Sequence, residues 1–289
     1  MARPGPAVVP DGEAPLDAAA AHDPLGASAP GDYRATHRAW VEQIMGMPIS
    51  IHVRGADARS PEVADAVAGV FDELRWVDAT FSTYREDSQV SRLQRGELTL
   101  ADADPAMREV ERLCRTAAER TQGWFDAWNA VPGRPGVYDP TGLVKTWGVA
   151  RAAKPLRALA QATGLGYAVG AGGDVLVRAA AGGEPWLIGI EDPRARSVVL
   201  ATVPVADGGI ATSGIAVRGT HIVDPFSGDR VTDVLSATVV GPSLLWADVF
   251  ATAAVAMGPA AVGWTSTLPD TSGLLVLADG TIHRWGDET

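Results

Sequence analysis

The most informative stretch of the chain is IATSGIAVRGTHIVDPFSGDRVTDVLSATVVGPSLLWADVFATAAVAM, residues 210–257. Within it, residues 235–241 are rich in branched apolar side chains and are followed by proline, a pattern typical of a strand. An apolar helix is predicted from about Ser243, because serine is a good N-cap. The stretch therefore predicts a strand followed directly by an apolar helix.

One acid interrupts this apolar helix. Asp248 is flanked by apolar side chains, and an unpaired carboxylate in such surroundings is costly, so we expect a cation or donor beside it. Thr252 lies one turn further along the same helical face. A carboxylate and a hydroxyl at this spacing suit a hard cation such as magnesium. The spacing alone also fits an Asp248 that faces solvent or bonds a nearby backbone amide, with Thr252 bonding back to its own helix.

Three motifs follow one another within this stretch. They are ATSG at residues 211–214, HIVDPFSG at residues 221–228 and ADVFAT at residues 247–252. In order and chemistry they resemble the C-terminal half of the FAD:protein FMN transferase family, often called the ApbE family, whose usual pattern there reads "atSG…HIidPrtG…aDalaT". The resemblance extends over roughly residues 43–258.

Signatures upstream resemble the same family. DATFSTYREDSQVSRL (78–93) resembles its "lStyrpdSelsrlN", although Gln94 stands where asparagine is usual. GWFD (123–126) resembles "GaFDpt", and YDPTGLVKTWGVARA (138–152) resembles "vDlggiaKGyavDra". The family usually has a long insertion between these two, whereas this chain has only residues 127–138 and resembles a shortened variant. The later segment departs from the pattern at Thr146, where glycine is expected, and at Ala150, where an acid is expected.

Residues 139–142, with the sequence Asp-Pro-Thr-Gly, are predicted to form a loop that opens a helix. The amides and the positive dipole end of a helix N-terminus favour phosphate. Gly142 has no side chain to block a close approach of the backbone, so its carbonyl could reach a metal. This segment is therefore a candidate phosphate site.

The resemblance implies a reaction and the residues that serve it. The reaction is transfer of FMN from FAD to a threonine or serine hydroxyl of a target flavoprotein, with release of AMP. The acceptor would carry a Ser/Thr-Gly-Ala-Ser/Thr-like motif. Magnesium would be held by the Gly142 carbonyl, the Asp248 carboxylate and the Thr252 hydroxyl. The positions that match those holding FAD in similar proteins are Met45, Tyr84, Trp124, Phe125, Asp126, Asp139, Lys145 and Ile222.

His221 and Asp248 are the expected catalytic residues. His221 is a candidate general base for the acceptor hydroxyl, because imidazole titrates near operating pH. It fits equally well as a histidine that merely bonds the turn at Asp224 and Pro225. Ser213 could bond a phosphate or shape its turn, and the turn is the favoured interpretation. Two other functions stay open: an FAD carrier without a protein target, and a hydrolase that gives FMN and AMP.

Composition limits the classes of partner. The chain has 289 residues, of which 46% are hydrophobic, so it can bury a large core. Its net charge is −11 at pH 7 and its pI is about 4.9, with no run rich in lysine or arginine. This charge argues against nucleic acid and anionic membrane surfaces as partners.

The sequence also carries an expectation about compartment. We find no stretch long and apolar enough to span a bilayer, and the first residues lack the continuous apolar segment of a signal peptide. Cys114, the only cysteine, falls in an apolar pattern at helical spacing and is expected to be a buried structural thiol. We therefore expect a cytoplasmic protein without membrane insertion.

Strands and helices alternate irregularly along the chain, and several strands are joined by tight turns. This pattern favours an α+β fold with a mainly antiparallel sheet covered by helices. The family resemblance implies a T-fold-like architecture. Residues 1–35, rich in alanine, proline and glycine, are expected to be a disordered tail, and residues 36–289 a single domain.

Several individual elements can be predicted. Residues 48–55 alternate as a half-buried strand in which His52 faces solvent. Ser60 and Pro61 open a helix with one apolar face, and residues 105–120 form a second helix.

In the second half, the helix opened by residues 139–142 is expected to continue to Gly164. Residues 166–178 are expected to form two strands around the GAGGD turn. This turn resembles the family's "NaGGDi", with Gly170 in the asparagine position. Asp207-Gly208-Gly209 marks a turn, and residues 273–285 a hairpin that turns at Asp279-Gly280.

Overall fold

The computed structural model describes residues 36–131, 133–215 and 222–286. The described strands are β1 (His37–Ile44), β2 (Met47–Arg54), β3 (Gly166–Ala171), β4 (Asp174–Arg178), β5 (Trp186–Asp192), β6 (Ala195–Val205), β7 (Asp207–Gly214), β8 (Val234–Gly241), β9 (Ser272–Leu277) and β10 (Ile282–Trp285). Eight of them form one sheet in the order β1-β2-β3-β4-β7-β8-β9-β10, and β5 and β6 form a separate two-stranded sheet. Every neighbouring pair is antiparallel, as expected.

The described α-helices are α1 (Pro61–Phe81), α2 (Gln89–Gln94), α3 (Pro105–Arg120), α4 (Thr141–Ala152), α5 (Lys154–Thr163), α6 (Leu244–Met257) and α7 (Ala261–Thr265). Helix α1 begins where the sequence predicts, because the Ser60 hydroxyl accepts a hydrogen bond from the Val63 amide at 3.3 Å and Pro61 occupies the first turn. The bounds of α3 also match the prediction. The fold is therefore α+β.

The large sheet has a hydrophobic cluster on each face. On one face it packs against the helices, with Ala211 and Leu275 among the buried strand residues. Their chain neighbours Ile210 and Leu274 point to the opposite face and pack against the β5–β6 hairpin. This alternation is the two-residue period of a strand. The helical face carries the larger cluster and the residues of the predicted site.

Three local expectations from the sequence are wrong. The helix after residue 142 does not continue to Gly164 but breaks at Ala153, because Pro155 lacks the amide hydrogen that an uninterrupted helix needs. Asp207 begins strand β7 and does not form a turn. His52 is buried, because His37 on the neighbouring strand covers it, with Nε2 of His37 lying 3.2 Å from Nδ1 of His52.

The segment Leu244–Thr265, which includes α6, is long and apolar enough to cross a membrane by length and composition. This finding corrects the expectation that the chain contains no such stretch. However, 67% of its most apolar window is buried inside the fold, where α6 packs against β7 and β8. The apolar sequence of α6 is therefore explained by its place in the core.

Candidate active site

Helix α6 carries Asp248 into the interior of the protein. The residue is 2% exposed, and α6 packs against β7 and β8 on one side and against α4 on the other. The strand β8 and the helix α6 are separated by only two residues, so the position of Asp248 is fixed by the sheet. The alternative in which this carboxylate faces solvent is therefore wrong.

Helix α4 supplies the partners that a buried carboxylate requires. The Lys145 ammonium lies 3.5 Å from Oδ2 of Asp248. The Thr146 hydroxyl donates a hydrogen bond to the same oxygen at 3.1 Å. The expected cation and donor beside Asp248 are thus both confirmed. Thr146, which departs from the family pattern, contributes directly to this contact.

A second carboxylate, Asp174, completes this group. It opens strand β4 directly after the glycine turn and is fully buried. Its Oδ2 contacts the Lys145 ammonium, and its Oδ1 accepts a hydrogen bond from the Thr212 amide at 3.0 Å. The sequence reasoning did not assign Asp174 to the site. The available signal was an acid placed at the start of the apolar strand Asp-Val-Leu-Val.

The three charged groups Lys145, Asp174 and Asp248 are called the buried charge cluster below. Burial raises the pKa of Asp248 to about 6, while the Lys145 ammonium opposes this rise and the Asp174 carboxylate adds to it. When both acids are ionised, the cluster holds two negative charges and one positive charge. A divalent cation beside Asp248 would offset this excess of negative charge.

Thr252 lies one turn beyond Asp248, and its hydroxyl oxygen is 2.9 Å from the hydroxyl oxygen of Ser213. Ser213 is a strand residue of β7, so the prediction that it shapes a turn is wrong. The contact shows Thr252 facing the sheet, where its hydroxyl reaches a partner outside its own helix. Asp248, Thr252 and Ser213 together offer oxygen atoms, the donor type that magnesium prefers.

The first turn of α4 lies where the sequence predicts a loop that opens a helix. Asp139 Oδ1 accepts a hydrogen bond from the Thr141 amide at 2.9 Å, and Gly142 follows as an exposed helical residue. A side chain at Gly142 would contact the ring of the buried Phe125 at 3.4 Å. The helix N-terminus is thus open to a ligand, while Lys145 lies one turn along the same helix.

Three aromatic side chains, those of Tyr84, Trp124 and Phe226, lie on loops. Tyr84, between α1 and α2, is 97% exposed, which is unusual for so large an apolar ring. Trp124 packs edge to face against Phe226, with ring centroids 4.9 Å apart, and Phe226 is itself 66% exposed. The HIVDPFSG motif was singled out in the sequence, but Phe226 within it was not predicted as a site residue. Exposed rings of this kind are suited to stacking on a planar ligand.

The remaining predicted residues have local structural contacts. Asp126 accepts hydrogen bonds from the Trp128 amide and the Asn129 side chain within its own loop. Met45 is the turn residue between β1 and β2, with a positive φ of 54°. Ile222 is buried. His221, the candidate base, lies outside the described residues.

The donor set can be tested against the implied metal. In the described ranges 36–131, 133–215 and 222–286, no group of three or more His, Cys, Asp and Glu residues is close enough to hold a metal ion. A zinc-type site built from such side chains is therefore not found among these residues. Magnesium typically takes one or two carboxylates and completes its shell with neutral oxygens and substrate phosphates. Asp248, Thr252 and the carbonyl of Gly142 fit that description.

Comparison with known proteins gives an independent result. The family model described as "ApbE family" matches residues 45–130 and 135–273 of the chain. The FAD:protein FMN transferase of Klebsiella pneumoniae (strain 342) is 34% identical over 128 residues, which is 40% of this chain and 37% of that protein. The protein of the same name from Escherichia coli (strain K12) is 32% identical over 128 residues, 40% of this chain and 36% of that protein. The matched segment thus spans little more than a third of either relative.

Solved structures show the same fold. The ApbE protein of Thermotoga maritima aligns with a TM-score of 0.74 at 22% identity, covering 86% of this chain and 97% of that one. The flavin transferase ApbE of Vibrio cholerae aligns with a TM-score of 0.71 at 22% identity, covering 87% and 97%. The apo flavinyl transferase ApbE of Pseudomonas stutzeri aligns with a TM-score of 0.67 at 22% identity, covering 86% and 93%.

Proposed function

The chain belongs to the ApbE family, and from that premise we propose that it transfers FMN from FAD to a threonine or serine hydroxyl of a target flavoprotein. The acceptor oxygen forms a bond to the phosphorus of the FMN half of FAD. The bond from this phosphorus to the bridging oxygen breaks, and AMP leaves with that oxygen. The hydroxyl proton passes to a base. The product is a phosphoester between FMN and the acceptor protein.

The observation that carries the proposal is the buried charge cluster beside the N-terminal turn of α4. Phosphoryl transfer depends mainly on positioning and on neutralising the charge of the phosphate oxygens. In this proposal, Lys145 and the positive dipole end of α4 at its N-terminal turn bind the diphosphate of FAD. Because the whole chain is acidic, with a net charge of −11, these groups and a metal have to provide the local attraction for an anion.

The magnesium site in this proposal consists of the Asp248 carboxylate, the Thr252 hydroxyl and the Gly142 carbonyl. When bound there, the ion supplies positive charge to the diphosphate oxygens as negative charge accumulates on the leaving AMP. Ser213 orients the Thr252 hydroxyl through the 2.9 Å contact. Thr146 keeps the Asp248 carboxylate in place through its hydrogen bond.

The flavin and adenine rings of FAD require apolar surfaces. Tyr84 and Phe226 are exposed aromatic residues, and the ring of Trp124 packs against that of Phe226. We assign ring stacking to them, since aromatic side chains stack readily on planar heterocycles. His221 remains the candidate base for the acceptor hydroxyl in this scheme.

The test is a transfer assay with purified components. The protein is incubated with FAD, magnesium and an acceptor domain bearing a Ser/Thr-Gly-Ala-Ser/Thr-like motif, and acceptor mass and AMP are measured. The expected result is one FMN added per acceptor with an equal amount of AMP. The matched controls are an acceptor whose hydroxyl residue is replaced by alanine or valine, and the enzyme variant Asp248→Asn. Both should give no FMN-bearing acceptor.

Two outcomes would contradict the proposal in favour of the alternatives. AMP release with no gain in acceptor mass would identify an FAD hydrolase. Retention of FAD on the protein with neither product would identify a carrier. Full transfer activity in Asp248→Asn would refute the metal assignment while leaving the transferase activity in place.

A further inference from the structure

Asp174 has two contacts that differ in kind. One carboxylate oxygen accepts a hydrogen bond from the backbone amide of Thr212 in β7 at 3.0 Å. The other contacts the ammonium of Lys145. Because the first bond anchors the carboxylate to the sheet, the side chain presents its second oxygen to Lys145 from a fixed position.

Lys145 therefore lies between two acids and is held closer to one of them. Its ammonium is in direct contact with Asp174 and is 3.5 Å from Oδ2 of Asp248. That same oxygen of Asp248 already accepts the Thr146 hydroxyl. Loss of the charge on Asp174 would draw the ammonium fully onto Asp248, because the attraction between opposite charges is strong where water is excluded.

We propose that Asp174 is a positioning residue that holds the Lys145 ammonium away from Asp248. Asp248 is thereby left available to a divalent cation, and Lys145 to the diphosphate of the substrate. The inference rests on the proposed function, since it concerns the same diphosphate and the same metal. It assigns to Asp174 a role that acts through Lys145.

The test uses direct binding, so that it does not depend on an acceptor protein. FAD affinity is measured from flavin fluorescence during a titration with magnesium, for the wild-type protein and for Asp174→Asn. The asparagine keeps an oxygen for the Thr212 amide and removes the charge that faces Lys145. The magnesium concentration at half-maximal effect on FAD binding should rise about tenfold in this variant.

A double-mutant cycle separates positioning from a general loss of negative charge. In a Lys145→Met background, Asp174→Asn should shift the magnesium midpoint by less than about twofold, because the residue through which Asp174 acts has been removed.

The matched control is Asp192→Asn, which removes an acid paired with Arg194 at the end of β5. It should leave the midpoint unchanged. Asp174→Ser carries the same expectation as Asp174→Asn and replaces it if the asparagine variant does not fold.

Each outcome has a defined meaning. An unchanged midpoint in folded Asp174→Asn, or an equal shift with and without Lys145, would overturn the positioning role while wild-type FAD binding and transfer stand. A wild-type protein that binds no FAD at any magnesium concentration would overturn the proposed function and this inference together. A shift that depends on Lys145 would support the inference.

Discussion

The hydroxyl of Thr252 lies 2.9 Å from the hydroxyl of Ser213, so helix α6 is joined to strand β7 at the position predicted to bind magnesium. Valine has nearly the shape of threonine but lacks the oxygen. We expect Thr252→Val to lower magnesium affinity about tenfold or more, as is typical when an oxygen at or next to a metal is lost. The affinity is read from magnesium titrations of FAD binding.

The control for this prediction is Thr265→Val. Thr265 is buried and bonds the Ala261 carbonyl of α7 at 2.9 Å, with no place in the predicted site. Its replacement should lower thermal stability without moving the magnesium titration. An equal response of the two variants would argue that Thr252 has only a packing role.

The second prediction concerns the stability of the metal-free protein. Burial raises the pKa of Asp248 from 3.8 to about 6, so the folded protein holds this proton more tightly than the unfolded chain. Between pH 4 and 6 the acid ionises in the unfolded chain first, and the stability contributed by the neutral form is lost as pH rises. Above pH 6 that loss is complete. Asp248→Asn should therefore stabilise the metal-free protein at pH 8 by about 1–3 kcal/mol.

The measurement is thermal unfolding in a chelating buffer across pH 4 to 8. The gain from Asp248→Asn should shrink towards pH 4, where the wild-type carboxyl is protonated in both states. Asp192 serves as the comparison, because its bond to Arg194 lowers its pKa to about 2, which is the opposite direction to the shift of Asp248. The Asp192→Asn variant should therefore give no stabilisation. If Asp248→Asn were less stable than the wild type at pH 8, the prediction that the ionised Asp248 carboxylate destabilises the metal-free protein would be refuted.

The third prediction concerns the exposed ring of Tyr84. Since the side chain is 97% exposed, Tyr84→Ala should change the free energy of unfolding by no more than about 0.5 kcal/mol. If the ring stacks on FAD, the same variant should weaken FAD binding about fivefold or more. Leu187→Ala, an exposed apolar residue on β5, is the control and should leave FAD affinity unchanged. Equal FAD affinity in Tyr84→Ala and the wild type would remove Tyr84 from the site.

The fourth prediction concerns Cys114. Burial raises the pKa of this thiol to about 12, so almost none of it is thiolate at neutral pH. The folded protein should not react with a thiol reagent at pH 8, whereas one thiol per chain should react after denaturation in guanidinium. Rapid labelling of the native protein would show that Cys114 is accessible and that α3 is not packed as described.

The sequence was sufficient for the parts of the site that depend on local pattern. An acid within an apolar helix requires partners wherever it occurs, and this requirement correctly predicted a cation and a donor beside Asp248. The half-buried strand β2 and the start of α1 follow equally from periodicity and capping. The family resemblance supplied Lys145, which no local pattern distinguishes from other lysines.

The predictions that failed concern residues whose surroundings depend on contacts distant in sequence. Asp174 joins the site because β4 pairs with β7, with Val175 opposite Ile210, and no local pattern encodes that register. The burial of His52 requires His37 on the adjacent strand. Pro155 did give a local signal for the break after α4, and the continuous apolar pattern around it obscured that signal.

The groups that surround the Lys145 ammonium come from positions far apart along the chain, and the bond from Thr146 to Asp248 spans 102 residues. A growing polypeptide on the ribosome cannot make this constellation until α6 has emerged, since closure of so long a segment must come first. The buried charge cluster and its Thr146 contact are consequently complete only once α6 is in place. A chain truncated before residue 248 would retain α4 and Lys145 but would lack the carboxylate to which Thr146 donates its hydrogen bond.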